Sequence, residues 1–167
     1  MSHASKELLR VKDYEDFTHA DNKYGLPMKM VRTGDTVESD FHIPAHMAGW
    51  RSPKVVAAHP GAVDTALTTV MGQGAMALLK RAAMLKAAST EYFDLVPVET
   101  GLKCAAKVVG KRDDNEVVID GKITGADGRL LAHSTATYAL YTPAELRQRA
   151  MCGDKVTAEF ERILAAL

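Results

Sequence analysis

Apolar and polar positions change their period twice along this chain. From Met28 to Phe41 they alternate around Thr33-Gly34-Asp35, which predicts two strands joined by a hairpin. From Pro60 the period becomes helical, with Val63, Leu67, Val70, Met71 and Leu78 at i, i+4, i+7 spacing. Pro60 suits a first helical position, where its missing N–H would have no partner in any case, and Ala, Leu and Met carry the helix to about residues 83 to 85. Ala62, Ala66, Gly72, Gly74 and Ala75 are small enough to admit other backbone from several sides. The helix is therefore expected to be wrapped by other structure. Beyond it the period returns to that of strands, at about 87 to 96, 102 to 109, 115 to 124 and 129 to 141. Turns at Glu99-Thr100-Gly101, Lys111-Arg112-Asp113-Asp114 and Ala126-Asp127-Gly128 separate them, so an antiparallel meander is predicted.

The flanks are weaker in pattern. Leu8, Leu9, Val11 and Tyr14 predict a short helix over 5 to 17, followed by a turn in ADNKYGLP, residues 20 to 27. Residues 42 to 58 read as a loop punctuated by Pro44, Gly49 and Pro53. Thr142-Pro143 has the form of an N-cap and first helical residue, and Asp154 is placed to cap a second helical piece running to Leu167. One long helix between an opening hairpin and a closing meander is an α+β pattern, in which a sheet of five or six strands must curl around the helix to bury both. A single domain is expected over 1 to 167, with its core at about 20 to 141 and a helical extension at 142 to 167.

Composition narrows the function classes. Of 167 residues 47% are hydrophobic and 25% charged, an ordinary globular balance. Lys and Arg number 21, as do Asp and Glu, so the formal charge is +0 and no global field attracts nucleic acid or an anionic membrane. Cys104 and Cys152 form no metal or redox spacing. The opening MSHASKELLRVKDYEDF lacks the apolar stretch of a secretion signal, and no run reaches the ~20 apolar residues of a membrane span; a cytoplasmic location is expected. His42 and His46 have HxxxH spacing, but Pro44 between them argues against a helical metal pair.

The residues at the joints carry a resemblance. DNKYGLPMKM (21 to 30), HMAGW (46 to 50), HPGAVDTALTTVMG (59 to 72), VPVETG (96 to 101) and ADGRLLAHSTATY (126 to 138) occur in the order seen in hotdog-fold acyl-CoA thioesterases. The chain resembles in particular the branch of small thioesterases similar to those of phenylacetate pathways. The resemblance spans about residues 20 to 141. It implies a hotdog fold, hydrolysis of acyl-CoA to free acid and CoA, no cofactor beyond the CoA of the substrate, and a homodimer or dimer of dimers with the site between subunits. His59 and Gly61 match the His and second Gly of the family's His-Gly-Gly. The position that usually holds the helix acid falls on Thr68, and Pro60 stands where the family has its first Gly.

A carboxylate nevertheless lies one turn before Thr68, at Asp64, on nearly the same face because four residues advance a helix by ~400°. Thioester cleavage needs oriented donors for the carbonyl oxygen and one basic group. The Gly61 N–H, at the positive end of the helix dipole, is a candidate oxyanion donor. Asp64 is the candidate general base or nucleophile, Thr68 a candidate to orient water, and His59 a positioning residue. Plainer readings stand beside these: Asp64 favours the positive helix end, and Thr68 and Thr69 bond the carbonyls four residues back. Thr65, Thr69 and Gln73 read as a polar seam or partner interface. Lys80, Arg81, Lys103, Lys107, Lys111 and Arg112 are local candidate cations for CoA phosphates, though surface lysines mostly solvate a face and none of these is singled out as a binding residue. Two other functions are open, a non-catalytic acyl-CoA binding module and a hotdog dehydratase or hydratase.

Overall fold

The computed structural model describes Lys6–Glu7 and residues 25 to 167. Its centre is α1, Pro60–Leu79, twenty residues and about 30 Å long at 1.5 Å per residue. Around it runs an antiparallel sheet in the order β1-β2-β3-β7-β8-β9-β6. Its members are β1 (Lys6–Glu7), β2 (Val31–Thr33), β3 (Thr36–Phe41), β6 (Ala82–Tyr92), β7 (Leu102–Asp113), β8 (Glu116–Gly125) and β9 (Leu130–Tyr141). Six substantial strands and the two-residue β1 thus form the curled sheet that the alternating pattern requires. The β2–β3 hairpin turns at Gly34, whose φ of 64° lies in the left-handed region that glycine enters without strain.

Inward-facing residues of each strand meet the helix. Val63, Leu67, Val70 and Met71 are fully or almost fully buried against Ile119, Ile123, Ala136 and Cys104. One contact decides how closely helix and sheet approach. A Cβ on Gly121 of β8 would lie 2.8 Å from Met71 Sδ and 3.3 Å from a Leu67 methyl, so the sheet is bare of side chain where these two pack. On the neighbouring strand, the buried Tyr138 hydroxyl donates to the Thr68 carbonyl at 2.6 Å and ties β9 to the middle of α1.

Several boundaries differ from the sequence expectation. The helix stops at Leu79, short of residues 83 to 85, because Lys80 adopts the left-handed conformation and its N–H closes back on the Met76 carbonyl. β6 accordingly begins at Ala82 rather than near 87. RAAMLKAAS has good helix formers, but its ladder with β9, from Ala82 opposite Tyr141 to Tyr92 opposite Ala132, overrides that local preference. Residues 42 to 58 are more than a loop. They hold a 3-10 turn at Ala45–Met47 and a small hairpin of β4 (Ala48–Arg51) and β5 (Val56–Ala58). Of the helix expected over 5 to 17, Lys6 and Glu7 are instead extended and pair with Arg32 and Val31, satisfying backbone groups of an edge strand. The rest of that stretch, and residues 20 to 24 of the following turn, lie outside the described residues.

The C-terminal expectation is met by α2, Pro143–Gln148, where Thr142 and Glu145 form a reciprocal capping box. Glu145 also receives Arg81, which donates to the Asp114 and Leu140 carbonyls and to Asn115 Oδ1. One guanidinium thereby joins the end of α1, the β7–β8 turn, the end of β9 and α2. The last helix, α3, is Asp154–Ala166; Gly153 is its N-cap, and Asp154 serves as an acidic residue of the first turn instead. No helix among the described residues is long and apolar enough to cross a membrane.

Candidate functional site

The start of α1 follows from three adjacent residues. Pro60 excludes the α region for His59, which takes φ −64° and ψ 135°, the extended geometry of an N-cap. Its Nδ1 accepts from the Gly61 N–H at 3.0 Å. Acceptance at Nδ1 puts the proton of the neutral ring on Nε2. The Ala62 and Val63 N–H groups both donate to the His59 carbonyl, and His59 N–H donates to the Met47 carbonyl at 2.8 Å. A Cβ on Gly49 would sit 2.7 Å from His59 Cα, so only glycine lets β4 lie this close to the helix start. Every first-turn donor is therefore engaged within the chain, including the Gly61 N–H that the spacing offers to an oxyanion.

The threonines bond as the plainer reading expects. Thr65 Oγ1 donates to the Gly61 carbonyl and Thr68 Oγ1 to the Asp64 carbonyl, each at 2.7 Å. The Thr68 hydroxyl spends its proton there and keeps only acceptor capacity. Thr65, Thr68, Thr69 and Gln73 are half-buried, on the side of α1 that the sheet leaves partly open.

Asp64 is placed differently from its helix neighbours. Its Oδ1 accepts from the Tyr92 hydroxyl at 3.0 Å, and the same phenol oxygen is 3.2 Å from the Pro60 carbonyl. Tyr92 is the last residue of β6. Burial first, then the hydrogen bond and negative charge of Asp64, push its phenol up from 10.0 to about 12. The sequence reading had no place for Tyr92. Its signal was parity: once β6 pairs with β9 as it does, Tyr92 stands opposite the buried Ala132 and on the helix side of the sheet.

Two grooves flank this turn. One of about 310 Å³ is lined by His46, Met47, His59, Gly61 and Thr65. The other, about 450 Å³ and largely apolar, is lined by Ala57, Pro60, Val63, Tyr92, Phe93 and Leu95. Gly61 and His59 thus share a groove with each other, while Asp64 is joined through Tyr92 to the edge of the second. Thr68 is attached to Asp64 through its main chain.

The candidate cations are elsewhere. Lys80 and Arg81 follow the far end of α1, with Lys80 about 24 Å along the axis from Asp64. Lys103 pairs with Glu38 on the outer face of the sheet, and Lys111 and Arg112 stand at the β7–β8 turn. Among the described residues, no three His, Cys, Asp or Glu side chains are grouped to hold a metal.

No family model and no curated protein matches this sequence. Solved structures do match. A thioesterase superfamily protein is 21% identical with a TM-score of 0.61, covering 71% of this chain and 56% of its own, so this chain spans little more than half its length. The PaaI protein from the phenylacetic acid degradation operon of E. coli is 14% identical with a TM-score of 0.59, covering 69% of this chain and 80% of its own. A Streptococcus mutans UA159 protein bound to acetyl CoA is 16% identical with a TM-score of 0.61, covering 69% and 89%. At these identities the likeness is one of fold. The chain has the hotdog fold of thioesterase-superfamily structures, as its motifs imply.

Proposed function

We propose that this protein hydrolyses an acyl-CoA thioester to free acid and CoA, at a site beside the first turns of α1 that a second copy of the chain completes. The observation that carries the reading is the half-buried Asp64 carboxylate, held by a phenol at the mouth of an apolar groove, in a fold shared with a protein bound to acetyl CoA. Asp64 Oδ2 takes a proton from water as the water oxygen attacks the thioester carbon. The tetrahedral intermediate then expels the CoA thiolate, which recovers that proton. The reaction consumes water and needs no cofactor beyond the CoA of the substrate.

The oxyanion has to compete for its donor. Gly61 N–H is already bonded to His59 Nδ1, a capping bond of the kind worth about 1 kcal/mol. A donor to a developing oxyanion is worth about 3 kcal/mol in the transition state. The exchange therefore favours the oxyanion only as charge develops, and His59 serves as the group that holds the donor oriented until then. The test is release of CoA thiol from acyl-CoAs of graded chain length, with hydration of a crotonyl-type substrate as control. Turnover in the first assay is expected. Hydration alone, or tight binding without turnover, overturns the reading in favour of a dehydratase or a non-catalytic module. The engagement of every first-turn N–H is the observation that favours the latter.

A second copy is proposed because β6 is an edge strand eleven residues long, carrying no Pro and only Lys86 as a cation. Leu85, Phe93 and Leu95 on and beyond it are 49%, 57% and 52% exposed. An open apolar edge of this length is an aggregation hazard that isologous pairing removes. Sedimentation at micromolar concentration is expected to show a dimer or dimer of dimers; a lone 18.1 kDa species would contradict it.

A further inference from the structure

The proposed reaction uses one oxygen of Asp64 and leaves the Tyr92 phenol without a part. The setting of that phenol is specific. Asp64 is the fifth residue of α1, too deep to cap the helix start, where the N–H groups of Gly61, Ala62 and Val63 already have partners. The carboxylate's described partner is the Tyr92 hydroxyl. Tyr92 in turn is presented by the sheet, since the β6–β9 ladder runs to Tyr92 opposite Ala132. A group on a strand thus holds a group on the helix, across the seam between them.

We propose that Tyr92 is a positioning residue for hydrolysis: its hydroxyl holds Asp64 Oδ1 so that Oδ2 faces the attacking water. This rests on the thioesterase reading. The phenol has one proton and two acceptors in reach, Asp64 Oδ1 at 3.0 Å and the Pro60 carbonyl at 3.2 Å. The ionised carboxylate is the stronger acceptor, so the proton goes to Asp64 and the Pro60 carbonyl stays a weak second contact. Without the hydroxyl, Asp64 rotates among its rotamers and spends only part of its time aimed at the water. The upward push on the Tyr92 phenol agrees with a proton held between the two groups.

Tyr92→Phe keeps the ring and removes only the donor. It is expected to lower kcat about tenfold, the loss typical of one hydrogen bond to a charged group, with KM within about twofold. In an Asp64→Asn background the same change is expected to cost little more, because the two groups act as a unit. A tyrosine that merely ties β6 to α1 leaves kcat unchanged or lowers it equally in both backgrounds, and either result overturns the proposal. A second measurement stands apart from activity and from the folding of the Phe variant. In protein carrying carbon-13 at the tyrosine Cζ, Asp64→Asn is expected to move the Tyr92 ionisation from about 12 towards its ordinary 10.0, though not fully, because burial is the larger cause. An unmoved titration removes the contact on which the proposal depends. If the wild-type protein cleaves no acyl-CoA, the functional reading fails and the titration still reports whether the pair exists. If Asp64→Asn slows turnover while Tyr92→Phe leaves kcat unchanged, the positioning role alone fails.

Discussion

Replacing Asp64 with Asn is expected to slow acyl-CoA hydrolysis by a factor of about 10² or more, the range that loss of a general base commonly costs, with the fold intact. The substitution is isosteric, and the amide oxygen still accepts from Tyr92 at the place Oδ1 occupies. What disappears is the ability to take a proton. Its effect on stability is small, since Asp64 lies beyond the first turn, where the helix dipole has fallen off, and the amide keeps the bond from Tyr92. Thr68→Val serves as the comparison. It removes a 2.7 Å bond to a carbonyl that is already part of the helix ladder, so a loss well below that of Asp64→Asn is expected. Steady-state kinetics beside circular dichroism distinguish the cases. Full activity in Asp64→Asn would remove Asp64 from the mechanism.

The largest stability effect is expected at Leu67. Its side chain is 0% exposed and packs where β8 carries only Gly121, so no neighbouring side chain on that strand can lean into the space it vacates. Leu67→Ala is expected to cost about 2–5 kcal/mol, near the upper end if the notch fails to collapse. For a chain of this size that lowers Tm by roughly 5–15 °C. Gln73→Ala, two turns further along on the open side of α1, is expected to change stability by no more than about 0.5 kcal/mol in the monomer. Calorimetry of the two variants checks the contrast. A cost below about 1 kcal/mol at Leu67 would mean that the helix is not gripped by the sheet as described.

That contrast also accounts for the polar residues on a helix that otherwise looks buried. Thr65, Thr68 and Gln73 occupy the arc left partly open by the sheet, and the hydroxyls of Thr65 and Thr68 bond carbonyls of their own helix. Asp64, close to Thr68 around the helix, stands at the edge of that arc towards β6, and its partner comes from 28 residues further along the chain. Spacing alone put Asp64 and Thr68 on nearly the same face, which is true of their Cα positions. Side-chain partners then divided that face.

Sequence by itself determined the elements whose patterns are dense and local. The apolar stripe of α1, the hairpin around Gly34, β8 and β9 to within a residue or two, and the Thr142-Pro143 helix start all follow from periodicity, turn chemistry and capping, which act over a few neighbours. The order of the motifs also made the hotdog fold legible. Tertiary structure alone decided the rest, because the deciding partners lie far away in sequence. Ala82 to Leu85 became strand by pairing with residues 138 to 141, against their helical preference. The loop at 48 to 58 became a hairpin that brings Met47 and Gly49 against His59. The Gly61 N–H was taken by an imidazole whose acceptor nitrogen no spacing rule reveals. Tyr92 reached Asp64 only because the register of β6 on β9 put it on the helix side of the sheet, where it is still 44% exposed, and a shift of one residue would have put it on the opposite face.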